Sequence, residues 1–581
     1  MTTYLARRTA GHALLIALAA ACTETAHTPS AASGDAAFKS LASEILQDTY
    51  RRHPSFATQL GVHTYDYSLD DYSPSAFAAE AHADSVFKTR LAATDSAGLS
   101  PAQDQDREQL MRVMDAAILN DRVVKAWAKN ADTYSSGITN AAYVIMERKY
   151  APPAARLAAL ISRERRMPAA LVLARANLDN PPKIFTQIAI EQIDGNISFF
   201  KNDVPAAFNE VTDTTLTSAF KASNDSVLAG LAGYKRFLQD TVLPKANGAF
   251  ALGADTYARL LSATEMIDVP LDRLLAIAEA DRQKNETAFV ATARQIDSTK
   301  APQAVLAALQ NDHPAPSALL AVTQAMLDSL RQFIVDHHIV TIPPSPPAHV
   351  EETPPFQRST TTASMDTPGP FETAKLDAFY NMTLPDPRWP KSEQEAYMKG
   401  WYYAAISNVS VHEVYPGHYI QFLYAPNFPT DVRKAFGANT NIEGWAHYDE
   451  QMMLDEGFHA GEPKYRLAQL QDALLRDVRF IVGIKMHTQG MTVAQATSLF
   501  ETEGHQPHPV AVEEAKRGAG DPLYGYYTMG KLMILKLRDD YKAKLGAAYT
   551  LQGFHDAFLK LGPLPLPLVR RAMLGRTGEI F

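Results

Sequence analysis

The sequence predicts a mainly α protein with one small strand-and-loop element near 342–390, on three observations. Long stretches place apolar residues three or four apart, the spacing of one helical face. Series of alternating β-branched runs are missing, and no repeat of solenoid length occurs. A single proline-rich interval, Ile342 to Pro390, breaks the helical texture. The chain has 581 residues, 46% hydrophobic and 20% charged, enough for a large buried core; this excludes membrane-spanning and collagen-like classes. Its formal charge is -9, from 55 basic and 64 acidic residues without long single-sign runs, which excludes a basic footprint for nucleic acid.

Taken in order, the chain opens with Arg7 and Arg8 ahead of an apolar run from Ala13 to Ala21 that is too short to span a bilayer, so residues 1–22 read as a signal peptide. The run closes Leu18-Ala19-Ala20-Ala21-Cys22, which resembles the lipidation box of a bacterial lipoprotein with its leucine one place early; an ordinary signal peptide is the alternative. Cys22 is the only cysteine, so the mature chain forms no internal disulfide. Residues 23–39, rich in Ala, Thr, Ser and Pro, suit a flexible tether. The expected location is outside the cytoplasm, either periplasmic or lipid-anchored at the cell envelope.

An N-terminal helical lobe is expected over 40–340. Leu271, Leu274, Leu275 and Ala278 follow Pro270 on one face, with Asp268 placed as a cap, and Leu319, Val322, Met326, Leu330 and Phe333 form a second stripe. The proline-rich interval also carries Phe356, Arg358, Phe371 and Trp389, which fits loops crossing a cleft better than a free linker. A C-terminal lobe over 341–581 then holds nearly every residue with catalytic chemistry, and one continuous unit with the first lobe is equally compatible.

That chemistry centres on His412-Glu413-Val414-Tyr415-Pro416-Gly417-His418. A zinc hydrolase needs imidazole and carboxylate ligands, an open coordination position and a base beside it. His412 and His418 supply two ligands and Glu413 the base, but the histidines sit six apart rather than four. On a regular helix six residues turn through about 600°, leaving the rings roughly 120° apart, so the helix must bulge or break. Pro416 lacks an N–H and Gly417 tolerates unusual angles, which locates the distortion. The third ligand is expected to be Glu443, with Glu450 as the alternative and His447, four residues on, as a hydrogen-bonding partner. Gly444 and Ala446 beside it permit close helix approach.

The sequence resembles the bacterial family named domain of unknown function 885, whose hallmark H-E-x-x-P-G-H-x-x-Q is His412 through Gln421 here. The similarity runs on through Glu443 to Tyr448, Arg479 to His487, Arg517, Asp521, Pro522, Tyr527 to Lys531 and Phe554 to Asp556, and back to Gly253, Asp255 and Tyr257. One departure is Gly483, where relatives often carry an acidic residue. The resemblance implies a relative of helical zinc peptidases with a glutamate ligand, built as two lobes around a deep cleft.

The expected function is therefore hydrolysis of small peptides with one Zn2+ per chain, Glu413 activating the water. Tyr527, Tyr526 and His487 are candidate donors to the oxyanion, Tyr527 first because it falls on the family's Tyr-x-x-Gly pattern. Arg517 is a candidate clamp for a substrate carboxylate, with Arg358 behind it. The alternatives are a hydrolase of another amide or ester, and a non-catalytic envelope lipoprotein that binds peptides.

Overall fold

The computed structural model describes residues 31–354, 358, 361–374 and 376–581. The expected signal peptide and Cys22 lie outside the described residues. A helix over Ala31–Arg52 takes in the last part of the segment expected as a tether.

Helices make up nearly all of the regular secondary structure, as the periodicity requires. They close around two main cores. One gathers residues from Tyr72 to Val242, the other from Tyr257 to Met573, so the helices between 254 and 336 pack with the segment around His412. The elements that position that segment are helix α1 (Leu271–Ile296), strands β1 (His349–Glu352), β2 (Ala363–Asp366) and β3 (Phe379–Met382), and helices α2 (Tyr403–Glu413), α3 (His418–Leu423), α4 (Asn439–Asp455), α5 (Pro463–Thr488), α6 (His508–Gly520) and α7 (Tyr526–Leu545).

Two local expectations are corrected. Helix α1 starts at Leu271 with Pro270 at its N-cap and no side-chain cap, because Pro270 itself supplies a pre-set φ and no orphan N–H; Asp268 does not cap it. In the helix over Leu319–Asp336 the fully buried line is Leu319, Thr323, Leu327, Leu330 and Ile334, while Val322, Met326 and Phe333 flank it. An apolar stripe wider than 100° has a centre that spacing alone does not locate.

The proline-rich interval yields the strands. They form one sheet in the order β1-β3-β2, with β1 parallel to β3 (His349 opposite Phe379) and β2 antiparallel to it (Ala363 opposite Met382). Central β3 buries Tyr380, Asn381 and Met382, and β2 lies at the edge.

Beneath the site, helices cross closely. A Cβ on Gly530 of α7 would lie 2.0 Å from the Thr440 carbonyl oxygen, and one on Gly444 of α4 would lie 2.5 Å from Gly530 Cα, so only glycines permit this crossing. Helices α1, α5 and α7 share a buried polar clamp: Lys531 donates to Asp281 at 2.9 Å, and Asn285 joins Asp281 and Asp477 at 3.2 and 2.6 Å. Every charge in it has a partner, the condition for burying charges at all.

Candidate functional site

The six-residue histidine spacing is accommodated by a full break. Helix α2 ends at Glu413, Val414 leaves helical geometry at φ -121 and ψ -73, and α3 begins at His418. Pro416 offers no N–H, its peptide bond with Tyr415 is cis, and the Gly417 N–H returns to the Val411 carbonyl at 3.0 Å. A Cβ at Gly417 would sit 1.8 Å from the His412 carbonyl oxygen, so no other residue fits. Trp445 of α4 pins the turn by donating its indole N–H to the Pro416 carbonyl at 3.0 Å.

The break brings the two imidazoles together, with ring centroids 4.9 Å apart and planes at 87°. Each Nε2 lies 3.4 Å from Glu443 Oε2, and the candidate ligand atoms of the three residues all fall within 4.8 Å of one another. Glu443 Oε2 is buried and has no hydrogen-bond partner, nor has His418 Nδ1. Ligands about 2.0–2.1 Å from a tetrahedral zinc stand roughly 3.4 Å from each other, so each imidazole already has the separation from Glu443 Oε2 that one ion requires. The residues fit the metal expected from the sequence.

Surrounding groups orient the candidate ligands. Glu450 holds His412 Nδ1 at 2.7 Å, which turns Nε2 toward Glu443. Arg476 pairs with Glu450 at 3.0 Å, Asn408 donates to it at 3.2 Å, and His447 Nδ1 approaches its other oxygen at 3.3 Å. Glu450 is thus the partner of His412 rather than a ligand. Burial by itself would raise the Glu450 pKa, but Arg476 above all, with the histidines, holds it well below the usual carboxylate range. Glu443 is held low in the same way by His418 and His412 against its own burial. Burial would lower the His412 pKa, and the Glu443 and Glu450 carboxylates reverse this and hold it up at about 9. His447 is pushed down to about 3, chiefly by burial, and stays neutral.

Glu413 ends α2 beside the triad, its Oε2 accepting the Met365 N–H of β2 at 3.0 Å. Tyr527 lies one turn before the Gly530 crossing, and its ring centroid is 6.2 Å from that of His412. Burial, and then the nearby Glu443 carboxylate, raise its pKa, so the phenol remains a donor. Arg517 reaches the hydroxyls of Tyr526 and Tyr527, each at 3.3 Å, and Tyr526 donates to Asp521 at 3.2 Å. Two expected residues are placed elsewhere. His487 bonds through Nε2 to the Gly518 carbonyl at 2.8 Å and packs on Phe250 and Tyr257, so it anchors the end of α6 and contacts no triad residue. Arg358 binds the Thr353 carbonyl at 2.9 Å and Glu352 at 2.6 Å.

Sequence reasoning missed Arg476, Asn408 and Met365. It undervalued Glu450, although Glu450 lies seven residues after Glu443, two helical turns along the same face.

Two solved structures share this fold. A candidate lipoprotein of unknown function from Shewanella oneidensis matches with a TM-score of 0.78 and 23% identity, over 92% of this chain and 99% of its own. A candidate lipoprotein from Colwellia psychrerythraea matches with a TM-score of 0.78 and 18% identity, over 93% of this chain and 98% of its own. No curated protein gives a significant match. A family model covers residues 54–573, nearly the whole described length, and the chain accordingly belongs to the family of bacterial proteins of unknown function DUF885.

Proposed function

We propose that this protein is a zinc-dependent hydrolase that cleaves small peptides at the His412, His418 and Glu443 centre. The observation that carries the reading is the 3.4 Å spacing of two imidazole nitrogens around an unpartnered carboxylate oxygen, with a further carboxylate, Glu413, at the end of the same helix as His412. A zinc ion at such a centre supplies a Lewis acid and a water acidified to a pKa near 7. Glu413 takes the proton of the attacking water and delivers it to the leaving amine, with the Met365 N–H fixing its carboxylate. The Tyr527 hydroxyl donates to the developing oxyanion. Arg517, held at the two tyrosine hydroxyls and about two-fifths exposed along its side chain, is placed to receive a substrate carboxylate.

The sequence from Arg7 to Cys22 and the two candidate lipoproteins of the same fold support an envelope location. Glu413→Gln should keep one zinc per chain and lower peptide kcat by about 10²- to 10⁴-fold. Metal analysis and peptide hydrolysis with chelator controls check both halves. Protein that takes up no zinc, or a variant as active as the parent, sinks the reading and leaves a peptide-binding lipoprotein in its place; turnover of esters or other amides alone would move the substrate class.

A further inference from the structure

A cavity of about 200 Å³ opens between the helix over Asp132–Met146 and the sheet. It borders the proposed centre, because one of its lining residues is Met365, whose N–H holds Glu413. Its walls carry three carboxyl side chains, those of Glu147, Asp366 and Glu372. Asn381, on central strand β3, lines the cavity at 2% exposure and its Oδ1 has no hydrogen-bond partner. An unpaired acceptor of that kind costs about 1–3 kcal/mol unless something donates to it.

The charges point the same way. Glu147 and Asp366 both line the cavity, with Arg148 as their shared cation: it pairs with Asp366 in a short contact and with Glu147 at 3.6 Å. Burial, and then the Glu147 carboxylate, keep the Asp366 carboxyl well above the usual range, because two neighbouring carboxyls share the one cation of Arg148. His63, the other basic group in the wall, is spent: its two ring nitrogens lie 3.1 Å from Asp66 and 2.9 Å from Glu372. A group with several N–H donors and one positive charge satisfies Asn381 and supplies the second cation that two carboxyls on one Arg148 lack. A primary ammonium on a short carbon chain has those properties and suits the volume.

We propose that this cavity receives a primary ammonium group of the substrate, the α-amine of a peptide or a lysine side chain, through Asn381, Glu147 and Asp366. The identity of the carrier rests on the peptidase reading; the ammonium site itself does not.

Calorimetric titration of the full chain in the Glu413→Gln background, which removes turnover, tests it with three probes: trialanine amide, its N-acetyl form, and N-acetyl-Ala-Lys-Ala amide. At least one amine-bearing peptide should bind ten-fold or more tightly than N-acetyl-trialanine amide, and which one does so identifies the source of the ammonium. Asn381→Leu and Glu147→Gln, each checked for folding by circular dichroism, should erase most of that preference. Equal binding of the three probes, or no binding of any, overturns the proposal without recourse to a variant, as does a preference that survives whichever of the two substitutions folds. Amine preference without hydrolysis by the zinc-loaded parent leaves the cavity assignment standing and removes the peptidase reading alone.

Discussion

Gly417 shows how much one missing side chain decides. Six residues between ligating histidines cannot share a face of an unbroken helix, and the chain here ends one helix and starts another within four residues. The return of the Gly417 N–H to Val411 presses its Cα against the His412 carbonyl. Gly417→Ala places a methyl 1.8 Å from that oxygen, so the turn must open and His418 must leave Glu443. Zinc affinity, measured by competition with a chelator, should fall at least ten-fold. Affinity equal to the parent's would refute the claim that the break creates the site.

Between elements, buried polar groups do the positioning. His555, in the helix over Leu551–Lys560, donates through Nδ1 to the Ile339 carbonyl at 2.7 Å and accepts from the Tyr448 hydroxyl of α4 at 2.9 Å. It joins the chain end after the helix over Leu319–Asp336 to the helix that carries Glu443. Burial pushes its pKa down to about 4, against the opposing bond to Ile339. The unfolded chain takes up this proton near pH 6.5 and the folded one does not. His555 therefore stabilises the fold fully above pH 6.5, and its contribution, about 3 kcal/mol, is lost as pH falls from 6.5 toward 4. Urea midpoints followed across that interval should decline more steeply for the parent than for His555→Gln; parallel curves would rule the assignment out. The Gly444 and Gly530 crossing works at the same scale, since it is what lets Tyr527 approach the triad.

At the scale of the molecule, Arg433 ties the N-terminal helices to the half that carries His412, His418 and Glu443. It is 1% exposed, donates to Asp106 at 2.7 Å, and also reaches the carbonyls of Ala102 at 3.2 Å and Leu561 at 2.8 Å. Arg433→Met strands the buried Asp106 carboxylate and should cost about 3–5 kcal/mol, whereas removing both charges costs less because no buried ion is left alone. Urea unfolding of Arg433→Met and of Arg433→Met with Asp106→Leu measures the difference. If the double variant is no more stable than the single one, the pair does not act as a unit. The proposed ammonium cavity belongs to this scale too, because the C-cap residue of the helix over Asp132–Met146 and strand β2 each supply one of its carboxyls.

The mainly α fold was legible because apolar periodicity is a local property, and so were the strands of the proline-rich interval, where proline and β-branched residues favour extended backbone. His412, Glu413, His418 and Glu443 could be picked out because ligand chemistry restricts residue type and Pro416-Gly417 marks the break. Glu450 was half legible, from its seven-residue step after Glu443. Arg476, Met365 and Asn381 carried no local signal: they lie 64, 48 and 31 positions from His412, Glu413 and His412 respectively, or on other elements altogether, and only packing gives them neighbours. His487 shows the converse, a residue of suitable type that tertiary contacts committed to Gly518. The sequence by itself determined which side chains could bind a metal and where the helix must break. Tertiary structure decided which of them meet, because contact between distant segments depends on helix crossings such as Gly444 against Gly530, and those follow from the packing of the whole core.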